Sequence, residues 1–260
     1  MSTPTADIRI HVDPTNPGQF FACCGLLELA SRISAAAEGC FEGTGFILRS
    51  AGNFADLIAA IRTAAFRQLD TSDATASPIQ IGAPFYLRLD WWKDEVPALA
   101  GLKVWAGTME SFRIAKAMQN AMRAEAFATP DLLDVGVVAY DPEDPTKKVE
   151  PFYFDARRGP NAHSRDVGFS PNDLGMTTTA SPAVELLCLI GLQRCRPALT
   201  ARSRIYDYHV WPQPIPAMLL PAAVTGLLPG SRGYRFESWY RTGQKKHKAF
   251  LTAKSRPKHQ

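Results

Sequence analysis

The sequence lacks the short motifs that identify several large enzyme classes. It contains no GxxxxGK[ST] phosphate loop, no GxSxG nucleophile elbow and no HExxH zinc motif, so kinase, hydrolase and metalloprotease interpretations have no support. The five histidines show no ligand-like spacing, and the five cysteines form no CxxC pair. We therefore expect no catalytic metal, no zinc knuckle, no disulfide framework and no cofactor.

Long hydrophobic runs are also absent. The most apolar stretch, residues 212–230, is repeatedly interrupted by proline, and no window of about 18 uncharged apolar residues is available for a membrane span. The first residues lack the basic region and apolar run of a secretory signal, which predicts a cytoplasmic protein with no membrane partner.

Disordered, collagen-like and coiled-coil chains are excluded by composition. Of the 260 residues, 46% are apolar and 21% are charged, which is typical of a soluble globular protein. A chain of this length can bury one large core or two small ones.

The charge is distributed unevenly. Residues 1–150 carry a net charge of −6, residues 151–231 carry +2, and residues 232–260 carry +8. This asymmetry suggests an acidic α+β half, residues 1–150, that faces protein partners, and a basic half, residues 151–260, that faces a polyanion. The alternative is that both halves form a single compact domain.

Hydrophobic periodicity predicts an α+β fold with mainly antiparallel strands and about four to five helices. The first helix should begin after Asn16-Pro17, end near Glu38 and be buried, because its apolar residues lie on nearly all sides. Further helices are predicted at 54–69, 108–128, 181–197 and 216–226. Strands are predicted at 8–12, 45–50, 79–92 (broken at Gly82), 131–140, 152–158, 203–211, 234–241 and 247–253.

The basic end of the chain interleaves aromatic and cationic residues. Such a pattern supplies stacking faces for bases and charges for phosphates, as in proteins that bind single-stranded nucleic acid. The candidate contacts are Tyr234, Trp239, Tyr240, Arg241, Lys245, Lys246 and Lys248. A half-buried hairpin gives the same alternation, and a basic tail could simply aid solubility.

A second group of cations lies in the irregular segment 152–175. The candidates are Arg157, Arg158, His163 and Arg165, which could hold phosphates through forked hydrogen bonds. Alternatively, Asp155 and Asp166 pair with these arginines and fix the loop. A catalytic interpretation is also open, in which His163 acts as general base in metal-independent RNA cleavage.

Three segments together resemble a known family. Residues 12–30, with an Asn-Pro-Gly turn before the apolar helix ACCGLLELA, residues 151–173, and residues 181–197 resemble the large-subunit-like proteins of type I CRISPR surveillance complexes. The closest similarity is to the short version found with type I-G systems, formerly called I-U. The Asn-Pro-Gly segment is the most specific of the three.

The resemblance implies a non-enzymatic subunit of a Cascade-type antiviral defence complex. Its partners would be the other Cascade backbone subunits, a crRNA, target DNA and a separate helicase-nuclease, with no small-molecule substrate. In such families the large subunit lies near the 5′ portion of the guide, helps to recognise a short flanking motif and supports R-loop formation. Two other functions remain open: an endoribonuclease that matures precursor guide RNA, and a structural scaffold without nucleic-acid contact.

Overall fold

The predicted α+β fold is confirmed by a computed structural model, which describes residues 7–93, 101–158, 179–241 and 245–256. The helices in these ranges are α1 (Pro17–Ile33), α2 (Phe54–Thr63), α3 (Ser111–Ala121), α4 (Pro182–Arg194) and α5 (Leu220–Val224). The strands are β1 (Ile8–His11), β2 (Glu38–Glu42), β3 (Gly45–Arg49), β4 (Phe66–Gln68), β5 (Ile79–Ile81), β6 (Leu87–Leu89), β7 (Ala198–Leu199), β8 (Ile205–Val210), β9 (Ile215–Pro216), β10 (Arg232–Tyr240), β11 (Lys248–Phe250) and β12 (Lys254–Ser255).

The strands pair in three antiparallel sheets across the described ranges. The first has the order β1-β3-β2-β9, and the second has the order β4-β5-β6. The third has the order β11-β10-β8-β7, with β12 also paired to β10. Strand β10 is therefore central in its sheet, with β8 on one side and β11 and β12 on the other.

Helices α1 and α4 are buried together at the centre of the molecule. Asn16 caps α1 by accepting hydrogen bonds from the backbone N–H groups of Gly18 and Gln19, and Pro17 occupies the first helical position, where no N–H is needed. Within the contact, Gly25 lies against the Leu187 carbonyl, so the two helix backbones touch directly.

The C-terminal sheet packs its inner face on α1. Rings from β8 and β10 meet the helix, with Phe20 and Tyr208 separated by 4.4 Å between ring centroids and Phe21 in edge contact with Phe236. One apolar cluster includes residues from both the acidic and the basic halves of the chain. Both halves thus contribute to the same core.

The first helix is shorter than the sequence predicts. It ends at Ile33, because the chain turns after Ser34, whose N–H bonds the Ala30 carbonyl. Glu38, the predicted end of the helix, instead begins β2. Gly39 lies in this strand, where the ring of Phe46 packs against it.

Other predicted elements also differ from the structure. Helix α2 stops at Thr63, and β4 follows within the predicted helix. Helix α3 covers 111–121, and a short 3₁₀ turn follows at 125–128. The strands predicted at 131–140 and 152–158 form no ladder in the described part of the chain, where only isolated bridges at Val137 and Tyr140 occur.

All five cysteines are free and buried. Burial raises the pKa of the Cys23 thiol, and the Cys24 and Cys195 side chains are hydrogen-bonded to each other. These thiols pack as small apolar groups. Among the described helices, none is long and apolar enough to cross a membrane.

The close helix contact predicts a severe effect for Gly25→Ala. Alanine favours a helix over glycine by about 1 kcal/mol, yet its Cβ would collide with the Leu187 carbonyl oxygen. We expect the collision to dominate and to lower the free energy of unfolding by about 1–3 kcal/mol in urea titrations. Gly82→Ala, whose Cβ would make ordinary contacts with Ala65, is the matched control. Equal stability of the two variants would contradict this account of the α1–α4 contact.

Candidate nucleic-acid interface

Arg157 is part of an ion-pair network. Its guanidinium donates to the Asp155 carboxylate through Nε and Nη2, to Asp134 at 2.7 Å and to the Leu133 carbonyl at 2.6 Å. Burial alone would raise the pKa of Asp155, but hydrogen bonding and charge from Arg157 outweigh it and hold that pKa below its ordinary value. Arg157 therefore makes the structural pairing that the sequence left open, while its side chain stays 37% exposed.

The segment around Asp155 is fixed by side chains in place of a strand ladder. Asn16 donates to Asp155 at 2.7 Å, and its own oxygen accepts from the Ala156 N–H at 3.1 Å. Glu185 accepts from the N–H groups of Phe154 and Asp155 at 3.2 and 3.1 Å. Burial raises the pKa of Glu185 to about 7. This polar junction connects the cap of α1, the 154–156 backbone and α4.

The remaining members of this second group are only partly described. Arg158 donates to the Thr179 hydroxyl at 2.7 Å and to Ser181 at 3.3 Å, so it too contacts its own chain. His163 and Arg165 lie outside the described residues. Of these four residues, the structure therefore describes only Arg157 and Arg158, and each of them is paired within the chain.

Two residues predicted at the basic end are buried. Tyr234 stacks on Tyr208 at 5.5 Å inside the sheet, which leaves no ring face for a base. Arg241 is also interior: its guanidinium lies 3.6 Å from the centroid of the Tyr153 ring, and its Nε donates to the Lys248 carbonyl. Arg241 thus supports the β10–β11 hairpin from within and does not contact phosphates.

The other predicted aromatic residues lie near the surface at the end of β10. Trp239 is 41% exposed, and Tyr240 is half-buried beside it. The Arg204 guanidinium lies 4.7 Å from the Tyr240 ring centroid and 5.7 Å from that of Trp239. A planar cation next to an exposed indole can extend the surface on which a base stacks.

Further cations lie in the hairpin that follows β10 and near Arg204. Lys245 and Lys246 are exposed in the hairpin. Lys248 is half-buried, and its pKa is lowered to about 8 by burial and by the nearby charges of Arg204 and Lys103. Burial and repulsion by these cations disfavour the charged form of Lys248. A bound anion would favour that charged form.

A second cationic group lies farther along the same face of the sheet. Arg235 donates to both oxygens of Asp207 at 2.7 and 2.9 Å, and Arg256 pairs with the same carboxylate at 2.8 Å. Lys254 is exposed and is the strand partner of Arg235. One carboxylate therefore pairs with two arginines. Together with Lys254, this Arg235 group keeps a net positive charge.

We call this surface the β10 track. It comprises Arg204, Arg235, Trp239, Lys245, Lys246, Lys254 and Arg256. Tyr240 and its cross-strand partner Lys248 lie at its end, and strand alternation places them on the opposite face of the sheet. The sequence prediction omitted Arg204, Arg235, Lys254 and Arg256. Strict period-two alternation along β10 could have identified Arg235, because it places Arg235 and Trp239 on the face opposite to Tyr234.

The track combines positive charge, which attracts phosphates, with flat aromatic faces, on which bases can stack. Within the described ranges, no group of three or more potential metal-ligating side chains occurs.

No protein-family model matches the sequence, and no curated protein or solved structure is significantly similar to it.

The buried junction predicts a specific pH dependence of stability. The pKa of Glu185 is raised in the folded state, so the folded protein binds more protons than the unfolded chain between about pH 4.5 and 7. Stability from this group is complete at low pH and is lost as the pH rises through about 7. Compared with Glu185→Gln, the wild-type free energy of unfolding should fall by on the order of 2–3 kcal/mol from pH 5 to pH 8.

Glu28→Gln is the matched control for this titration. Burial would raise the pKa of Glu28, but hydrogen bonds from Arg194 and Arg32 outweigh it and lower that pKa. Glu28 is therefore ionised from pH 5 to pH 8. The difference in the free energy of unfolding between Glu28→Gln and wild type should not change with pH. A flat difference for Glu185→Gln as well would refute the assignment.

Proposed function

We propose that this protein is a non-catalytic subunit of a crRNA-guided type I CRISPR surveillance complex. It contacts guide RNA or target DNA near the flanking-motif end and supports R-loop formation and helicase-nuclease recruitment. Two independent arguments support the proposal: the resemblance of residues 12–30, 151–173 and 181–197 to that family, and the β10 track. Base pairing would read the sequence, while the protein would contact backbone and unpaired bases.

The observation that carries the proposal is the exposed aromatic and cationic surface at the end of β10. Trp239 offers a face to solvent, Arg204 lies against the aromatic pair, and Lys245 and Lys246 are exposed in the adjoining hairpin. Part of the indole is exposed beside a planar cation, and a base can stack on such a surface.

The distribution of charge suggests how the protein is oriented in a complex. The track belongs to the basic C-terminal part of the chain, whereas residues 1–150 carry a net charge of −6. A like-charged surface repels phosphates, so the acidic half would face protein subunits and the track would face nucleic acid.

We expect binding of single-stranded nucleic acid to depend steeply on salt. In the double variant Lys245→Gln/Lys246→Gln, two phosphate contacts are lost, so the slope of log affinity against log salt should fall by about 1.4. Fluorescence anisotropy at several salt concentrations, for the protein alone and with its neighbouring subunits and guide RNA, measures this slope. Arg9→Gln/Arg88→Gln removes the same charge from exposed positions in the other two sheets and should leave the slope nearly unchanged.

The same samples separate the alternative functions. Each titration contains EDTA, and its endpoint is run on a denaturing gel. RNA cleavage that is lost in His163→Ala would assign the protein to guide-RNA processing. Unchanged complex assembly and interference after charge reversal at Lys245 and Lys246 would indicate a scaffold. A flat salt dependence of wild-type binding would remove the basis of the proposal.

Lys248 gives a second, pH-based prediction. Because its pKa is lowered to about 8, the side chain is charged at pH 7 and largely neutral at pH 9, so nucleic-acid affinity should decline across this range. Lys248→Arg keeps the charge and should decline less. Lys254→Arg, at an exposed position of the β10 track, should follow the wild type. If Lys248→Arg and wild type lose affinity in parallel, Lys248 does not contact phosphate.

A further inference from the structure

The track has two separate groups of contacts on one exposed face. Arg235, Glu237 and Trp239 project from this face of β10. Arg235 and Trp239 are four residues apart, about 13 Å at roughly 3.3 Å per residue, with the Glu237 side chain between them. The Arg235 group is centred on Asp207, and Trp239 lies beside Arg204. A ligand that contacts both groups must therefore extend along the strand.

The Arg235 group presents two guanidiniums held by one carboxylate. Asp207 accepts from the Arg235 fork through both carboxylate oxygens and pairs with Arg256 through one of them, so the two guanidiniums are held next to each other. The Arg235 side chain is nevertheless 46% exposed. Fixing an arginine in this way reduces the entropy lost when its remaining donors bind an anion.

The Trp239 group differs in chemistry. There the cations flank aromatic rings, and among the five tryptophans Trp239 alone is exposed, since Trp91, Trp92, Trp105 and Trp211 are buried. A base would stack at this end, and a phosphate would bind at the other. Stacking requires an unpaired base, which a regular duplex does not offer.

We propose that a single nucleic-acid strand lies along β10, with a base stacked on Trp239 and a phosphate farther along the strand bound by Arg235 and Arg256. This inference rests on the proposed function and adds the path of the ligand. RNA and DNA share the backbone that would be recognised, so both are used in the test. An ordinary surface ion pair at Asp207, without a ligand, is the competing explanation.

Ligand length tests the path. Trp239 fluorescence quenching reports stacking, and Trp239→Phe, which keeps an aromatic face, identifies the signal. A dinucleotide anchored on Trp239 is too short to reach the Arg235 group, whereas an oligonucleotide of about 12 nucleotides, within the usual range of single-strand sites, covers both groups. Arg235→Gln should weaken the longer ligand about tenfold and should leave the dinucleotide nearly unchanged.

Arg88→Gln is the matched control, because Arg88 also pairs with an aspartate on an exposed sheet position. If Arg235→Gln and Arg88→Gln bind the longer ligand with equal affinity, the proposed path of the strand is wrong. It is also wrong if Arg235→Gln weakens binding of the dinucleotide as much as binding of the longer ligand. If the protein binds a duplex more tightly than a single strand, the proposed stacking of an unpaired base on Trp239 is wrong. If wild-type protein binds no oligonucleotide in a salt-dependent way, the proposed function itself fails, and this result is distinct from the others.

Discussion

The backbone contact between α1 and α4 is the constraint on which the rest of the structure depends. Gly25 and Gly191 remove the side chains that would separate the helices, and each glycine lies against a carbonyl of the opposite helix. This closeness brings the cap of α1 to the first turn of α4, where Asn16, Asp155 and Glu185 meet. It also fixes the surface of α1 on which the C-terminal sheet packs. The exposed face of that sheet is positioned by a contact in the middle of the core.

Burial divides the arginines of this chain into two kinds. Arg241 lies in the interior, where its guanidinium satisfies a carbonyl and an aromatic face, and its removal would leave buried groups unpaired. Those on the outer face of the C-terminal sheet, such as Arg235, make an ion pair and still meet solvent. The same residue type thus stabilises the hairpin from inside and offers charge outside. Only the exposed arginines can bind a ligand without losing contacts that stabilise the core.

The sequence predicted the fold class and the strongly periodic elements, because α1, α4, β8 and β10 carry patterns that tertiary contacts reinforce. It failed where tertiary contacts override local preference: the helix predicted as far as Glu38 ends at Ile33 because residues 38–42 pair with β3, and the 152–158 segment is held by Glu185 and Asn16 instead of a ladder. At the candidate site, Trp239 and the hairpin lysines could be identified from composition. Arg204 could not, because its place beside Trp239 arises only when β8 pairs with β10.

The burial of α1 on every side has a consequence for synthesis in the cell. The helix emerges from the ribosome early, but its partner α4 begins at Pro182, 165 residues after Pro17. At about 5–20 residues per second, that interval lasts roughly 10–30 s. During this time residues 38–49 can cover one side of the helix, as where Phe20 stacks on Phe41, but the side that α4 covers in the folded protein stays exposed, so the nascent chain is expected to need chaperone protection. The order of synthesis, as well as final stability, therefore limits how much of this protein a cell can accumulate.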